Sequence, residues 1–411
     1  MTATQGKPLR VAYADGPDRA LPPPEQVVDA VGRGRGLPGW APNPKSIELF
    51  LGWVVREPPW LACADGGDMP IKMSTFLVGP GTRRAVASGV VDYVPVRLST
   101  LPCLLSGRLR QDIVVVGAWE EGGSWEEGGS WRVAGSPGWA LAAARAAGRV
   151  VVERWPGKAP PGRPLLPECE VLGVVDRSEP PDPAPSVRSG PVQLAIGGHV
   201  ARLIPPRSTL QWGPGAIGAA VVSCLDAPVS VHSGLVTDEL ADLEARGLLE
   251  GVARAAYVWG AERLAAMIAG GRLELIEVSE SHDLTAVSCI ERFVAVNTAV
   301  QVGLDGSVNV ESAGGRIVAG PGGHPDFALA ASASRGGLSV VALAATAGGH
   351  STIVARPDVV STPRSDVDVV VTEYGVADLR GCNDADRAAR LIAISHPEHR
   401  HNLEFGDKTN R

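Results

Sequence analysis

Residues 208–234 read STLQWGPGAIGAAVVSCLDAPVSVHSG, and the order of residue types along them sets the fold class. Ser208–Trp212 predicts a short strand and Gly213–Gly218 a turn. Ala219–Leu225 then predicts a helix, and Pro228–Ser233 a second strand. The same alternation continues outward in both directions. Valine-rich runs at Asp112–Trp119, Arg149–Trp155, Leu338–Leu343 and Val367–Thr372 show little polar alternation. Such runs suit strands covered on both faces, as in a parallel sheet. Helical patterns fall between them at Ala140–Gly148, at Ala261–Ile268, and at Thr237–Leu249, which opens on a Thr, Asp, Glu cluster. The expected class is α/β.

A chain of 411 residues is long enough for two or three domains. Proline is too dense in Glu179–Gly190 (EPPDPAPSVRSG) for a helix or sheet interior, so this stretch reads as a linker. Two α/β domains are expected, at 1–180 and 191–411. The hexapeptide EEGGSW occurs twice in tandem, at Glu120–Trp125 and Glu126–Trp131. Two copies are too few for a solenoid, and a duplication lengthening a surface hairpin is the simpler reading.

Composition excludes several function classes. The net charge of −7 and the lack of a basic cluster argue against nucleic acid as the main partner. No apolar run approaches the length of a membrane span, and the first residues carry no signal-like apolar segment. Six scattered cysteines with no C-x-x-C pair point to reduced thiols in a cytoplasm. His199, His282, His350, His396, His399 and His401 show no metal-ligand spacing and are assigned no chemistry.

Three motifs carry possible chemistry. Gly213, Gly215 and Gly218 match G-x-G-x-x-G between a strand and a helix, with Asp238 as the acid some twenty residues on. The pattern fits a phosphate-binding turn or a purely structural one, and in a chain with 50 glycines it is weak alone. Ala319–Phe327 (AGPGGHPDF) is a glycine-rich turn carrying His324 and Asp326, able to approach a ligand closely and to offer N–H donors to an oxyanion. Thr372-Glu373-Tyr374-Gly375 follows an apolar strand, where a parallel sheet faces its ligand crevice.

Together these segments resemble the acetyl-CoA hydrolase/4-hydroxybutyrate CoA-transferase family. Val371–Gly381 (VTEYGVADLRG) with Asp386–Pro397 (DRAARLIAISHP) resembles its C-terminal signature, and Gln211–Ile217 (QWGPGAI) its Q-x-G-x-G-A-I turn. Asn297–Gly315 and Gly320–Phe327 (GPGGHPDF) resemble its glycine segment and its G-x-G-G-x-x-D-F loop, and Gly79–Pro102 resembles a stretch of its N-terminal half. The resemblance implies two α/β domains with an active site in the cleft between them, and an acyl-CoA substrate. It also implies a carboxylate acceptor and no metal or redox cofactor. Gly213, Gly215, Gly320, Gly322, Gly323, Tyr374 and Gly375 would then line the coenzyme A site, with Glu373 and His324 beside the chemistry. A homodimer is expected, the commonest soluble oligomer.

Relatives that transfer CoA use a glutamate, which forms a mixed anhydride and then a glutamyl-CoA thioester, splitting one difficult exchange into easier steps. The segment resembling theirs here is Val231-His232-Ser233-Gly234-Leu235, followed by Thr237, Asp238, Asp242 and Leu243 in matching register. The glutamate position is Gly234, at the expected end of the PVSVHS strand. Glycine has no nucleophile. Three consequences compete: direct attack by water or an acceptor carboxylate, with His324 as general base; replacement by another acid such as Asp238, Glu239, Glu311 or Glu373; or CoA-ester binding without catalysis. A nicotinamide-dependent oxidoreductase, resting on Gly213–Gly218 alone, is the other alternative.

Overall fold

The computed structural model describes residues 7–16, 21–33, 46–63, 70–122, 129–177, 187–260 and 262–405. Two eight-stranded, mainly parallel sheets carry the chain, confirming the α/β class. Apolar residues on both faces of the strands explain the parallel pairing, because helices must cover each face.

The first sheet contains β1 (Leu9–Tyr13), β2 (Ile47–Leu51), β3 (Ile71–Thr75), β4 (Val91–Tyr93), β5 (Ile113–Glu121), β6 (Ser130–Val133), β7 (Arg149–Arg154) and β8 (Glu170–Asp176). Their order is β4-β3-β2-β1-β5-β7-β8, with β6 pairing antiparallel to β5. The EEGGSW repeat lies across that antiparallel pair. Glu120 and Glu121 face Trp131 and Ser130 in the ladder, and 123–128 lie outside the described residues. The core beneath this sheet includes Leu9, Val11, Leu49, Met73, Ile113 and Val151.

The second sheet contains β9 (Thr209–Trp212), β10 (Ser230–Thr237), β11 (Ala253–Trp259), β12 (Leu273–Leu275) and β13 (Phe293–Thr298). It is completed by β14 (Leu338–Ala342), β15 (Val369–Thr372) and β16 (Gly375–Asp378). The order is β12-β11-β10-β9-β13-β14-β15-β16. The β10–β9, β9–β13, β13–β14 and β14–β15 pairs are parallel, and β16 returns antiparallel to β15. All these parallel strands therefore present their carboxyl ends along one edge.

The chain packs as two compact units, 1–184 with 255–280 and 185–254 with 281–411. Within the first unit, the returning stretch is anchored by Tyr257, whose hydroxyl donates to Asp15 at 3.1 Å, and by Val258, whose N–H donates to Ser136 Oγ at 3.0 Å. Of the expected linker, 178–186 lie outside the described residues. Among the described residues no helix is long and apolar enough to cross a membrane.

Two local expectations are corrected. The strand expected to end at Ser233 continues to Thr237, so Gly234 lies inside β10 and not beyond its end. Leu235 and Val236 are apolar and β-prone, and they carry the strand through the glycine. The helix expected from Thr237 is correspondingly shorter, Glu239–Ala245. Asp238 thus stands directly at the carboxyl end of β10, at a helix start as well as at a strand end.

Candidate active site

Side chains alternate across a strand, so His232 and Gly234 share one face of β10. That face meets the link between the helices Val278–Ser281 and Leu284–Ser288. His232 Nε2 lies 2.9 Å from the Ser281 carbonyl oxygen. The next residue, His282, fills the open side of Gly234. A Cβ placed on Gly234 would sit 3.2 Å from His282 Cε1, His282 Nε2 and Phe327 Cε2. The space beside the glycine is occupied by an imidazole and a phenyl ring.

A second glycine approaches the same ring. Gly323 caps the helix His324–Ala333, and a Cβ there would lie 2.4 Å from His282 Nε2 and 3.1 Å from Phe327 Cε2. Gly234 and the G-x-G-G loop therefore converge on one side chain that sequence reading assigned no chemistry.

The imidazole is held tightly. Asp283 Oδ1 accepts from the N–H groups of Thr285 and Ala286 at 2.9 and 3.0 Å, capping the next helix and fixing the link. Ser281 Oγ lies 2.8 Å from His282 Nδ1. The ring centroid is 4.5 Å from that of Phe327, which belongs to an apolar cluster with Val287, Phe293, Ala295, Ala330 and Ala331. Burial in that setting disfavours the imidazolium. It pushes the His282 pKa down to about 3, with His232 adding a smaller effect. Nε2 is buried and has no hydrogen-bond partner among the described residues.

His324 is also buried, against expectation for a residue of a glycine loop. It occupies the first turn of its helix, with Nδ1 2.8 Å from Thr362 Oγ1, and burial pushes its pKa down to about 4. Its Nε2 likewise has no hydrogen-bond partner among the described residues. Gly320 and Gly322 precede it in the same turn, Gly322 with φ +55°, a conformation that favours glycine. The atoms nearest the open side of Gly234 belong to His282 and Phe327, not to His324.

The remaining candidates lie along the carboxyl edge of the second sheet. Gly213 follows β9, and its N–H donates to the Val296 carbonyl at 2.9 Å. Gly215 caps the helix Ala216–Cys224 with φ +114°. A Cβ on Gly218 would meet the Gly213 oxygen at 2.1 Å, so that glycine lets the helix pack on its own turn. Gln211 and Asn297 exchange side-chain amide bonds of 3.2–3.3 Å across β9 and β13, which accounts for the glutamine of the Q-x-G turn. Glu373 and Tyr374 form the two-residue turn between β15 and β16, and Gly375 follows with φ +141°. Glu373 Oε2 accepts from the Ala345 N–H at 2.9 Å, and Glu311 Oε1 accepts from Ser361 Oγ at 2.7 Å. None of the candidate replacement acids supplies the atoms nearest Gly234. Among the described residues no group of three His, Cys, Asp or Glu is placed to hold a metal ion.

This arrangement of parallel sheets has close solved counterparts. The 4-hydroxybutyrate CoA-transferase of Porphyromonas gingivalis superposes with a TM-score of 0.69 at 24% identity, over 97% of this chain and 93% of that one. The fold is that of a CoA-transferase. The description acetyl-CoA hydrolase/transferase C-terminal domain matches residues 260–406. The 4-hydroxybutyrate coenzyme A transferase of Clostridium kluyveri is 30% identical over 359 residues, 82% of each chain. The succinyl-CoA:cyclohexane-1-carboxylate CoA transferase of Geobacter metallireducens is 31% identical over 362 residues, 83% of this chain and 81% of that one. This chain belongs to the acetyl-CoA hydrolase/CoA-transferase family of enzymes, as its motifs led us to expect.

Proposed function

We propose that the protein cleaves or exchanges the thioester of an acyl-CoA without a glutamyl-CoA intermediate. One observation carries this reading: position 234 is a glycine inside β10, and the three atoms nearest its open side belong to His282 and Phe327. The acyl acceptor, water or a second carboxylate, then attacks the thioester carbonyl directly. The glycine turn Gly320–Gly323 and the amino end of the helix behind it supply the field that favours a developing oxyanion. A neutral imidazole takes the acceptor's proton when the acceptor is water, and His324 is the candidate named by the motif. Gly213, Gly215, Tyr374 and Gly375 line the coenzyme end of the site in this reading. Cys103, Cys169, Cys224, Cys289 and Cys382 are free thiols, which supports a reducing, cytoplasmic setting, and we place the active form as a homodimer.

The test is incubation with a panel of acyl-CoA esters, with and without added carboxylates, following free thiol and intact protein mass. Thiol release without an acceptor marks a hydrolase, and a new CoA ester formed only with an acceptor marks a transferase. Neither outcome should be accompanied by a protein–CoA adduct. An adduct on any carboxylate overturns direct attack, and CoA-ester binding with no turnover means a non-catalytic homologue. A second reading, a nicotinamide-dependent oxidoreductase, draws support from Asp238 at the carboxyl end of β10 after the Gly213–Gly218 turn. Saturable binding of a nicotinamide dinucleotide, competed by no CoA ester, would favour it.

A further inference from the structure

The open side of Gly234 is filled by the ring of His282. We propose that His282 Nε2, in place of the motif's His324, is the general base of this site and activates the water that attacks the acyl-CoA thioester. The inference rests on the acyl-CoA reading above and names its catalytic group.

Three independent features converge on the ring. Neither glycine beside it is demanded by the backbone: Gly323 has φ −92°, and Gly234 is absent from the glycines with positive φ. What each glycine provides is room for His282, since a Cβ at either position would crowd its Nε2. The ring is also oriented through its other nitrogen, at 2.8 Å from Ser281 Oγ, while His232 holds the Ser281 carbonyl and Asp283 caps the following helix. A base held by a hydrogen bond to its second nitrogen is the usual construction for histidine catalysis. Finally, Nε2 is buried with no hydrogen-bond partner, an arrangement that costs stability and calls for a compensating role.

The step balances without a further reagent. In the tautomer that donates Nδ1–H to Ser281 Oγ, the Nε2 lone pair takes a proton from water as the water oxygen bonds to the thioester carbonyl carbon. The tetrahedral intermediate collapses with cleavage of the C–S bond. The proton then passes from Nε2 to the departing thiolate, giving a carboxylic acid and the free CoA thiol.

The experiment measures thiol release by the wild type, His282→Gln and His282→Ala, each checked for native far-UV circular dichroism and for acyl-CoA binding by calorimetry. The expected result is a fall in kcat of at least about 100-fold in both variants with KM little changed. The wild type's solvent deuterium isotope effect should be lost from the residual rate. A folded His282→Gln variant with wild-type kcat overturns this inference alone, whereas a wild type that releases no thiol from any acyl-CoA overturns the thioester reading and His282 with it. Should both variants fail to fold, the imidazole nitrogen resonances of the wild type decide. A shift of His282 Nε2 on saturation with a non-hydrolysable CoA thioether supports the proposal, and an unmoved resonance overturns it.

Discussion

At the scale of single residues, Gly234 and His282 share one space. A Cβ on Gly234 would stand 3.2 Å from the ring, tighter than ordinary contact, so Gly234→Ala should destabilise the protein by about 1–3 kcal/mol. Urea unfolding measures this, and an unchanged midpoint would mean that the ring yields freely. A glutamate introduced alone collides with His282, but Gly234→Glu combined with His282→Ala gives the carboxylate its space. The double variant should acquire a protein–CoA adduct on treatment with acyl-CoA, readable by intact mass. Gly234→Glu alone should not. A histidine between two helices offers no pattern that marks it in a sequence. The signal for His282 was indirect, namely two glycines, at 234 and 323, that backbone conformation does not explain.

Secondary-structure elements show a different balance. The strand–turn–helix–strand reading of 208–234 matches the β9, Ala216–Cys224 and β10 elements, because valine content and glycine position are local properties. The end of β10 was misplaced because a glycine in a strand looks like a terminator when its neighbours across the sheet are unknown. Glycine also governs how the helix after β9 sits. Gly218→Ala would put a Cβ 2.1 Å from the Gly213 carbonyl oxygen and 2.9 Å from Trp212 Cδ1. Since one of those atoms is backbone, the expected effect is a loss of roughly 1–3 kcal/mol, seen as a lower melting temperature. Gly197 has the same duty against Ala220, where a Cβ would meet the backbone at 2.7 Å, so the helix Pro191–Ala201 depends on it for close approach.

For the whole molecule, stability should fall in acid through the second unit. The pKa values of His282 and His324 are held at about 3 and about 4 in the folded protein, against about 6.5 unfolded. Between those values the unfolded chain binds more protons, so the stability present above about pH 6.5 is lost as pH falls. The loss through His324 is complete near pH 4, and that through His282 near pH 3. Urea midpoints measured from pH 7 to pH 4 should decline, and His282→Gln should make the decline shallower; a flat profile in the wild type would contradict the burial of both rings. The first unit carries its own buried ion pair. Arg177 and Glu153 lie 3.2 Å apart with side chains 2% and 5% exposed, and the guanidinium sits 4.2 Å from the Trp155 ring centroid. Glu153→Ala removes a buried partner of that guanidinium and should cost about 3–5 kcal/mol in chemical unfolding.

What the amino-acid order determined by itself was local and sequential: the α/β class, the glycine turns, the motifs of the family, and a glycine at position 234. Those depend on residues adjacent in the chain, where propensity and spacing act directly. Tertiary structure alone decided that the stretch 255–280 returns to the first unit and that His282 fills the side of Gly234. It also decided that His324 is buried against Thr362. Each of these follows from packing between segments distant in the chain, where close approach and exclusion of water, not local pattern, set the position and the charge of a side chain.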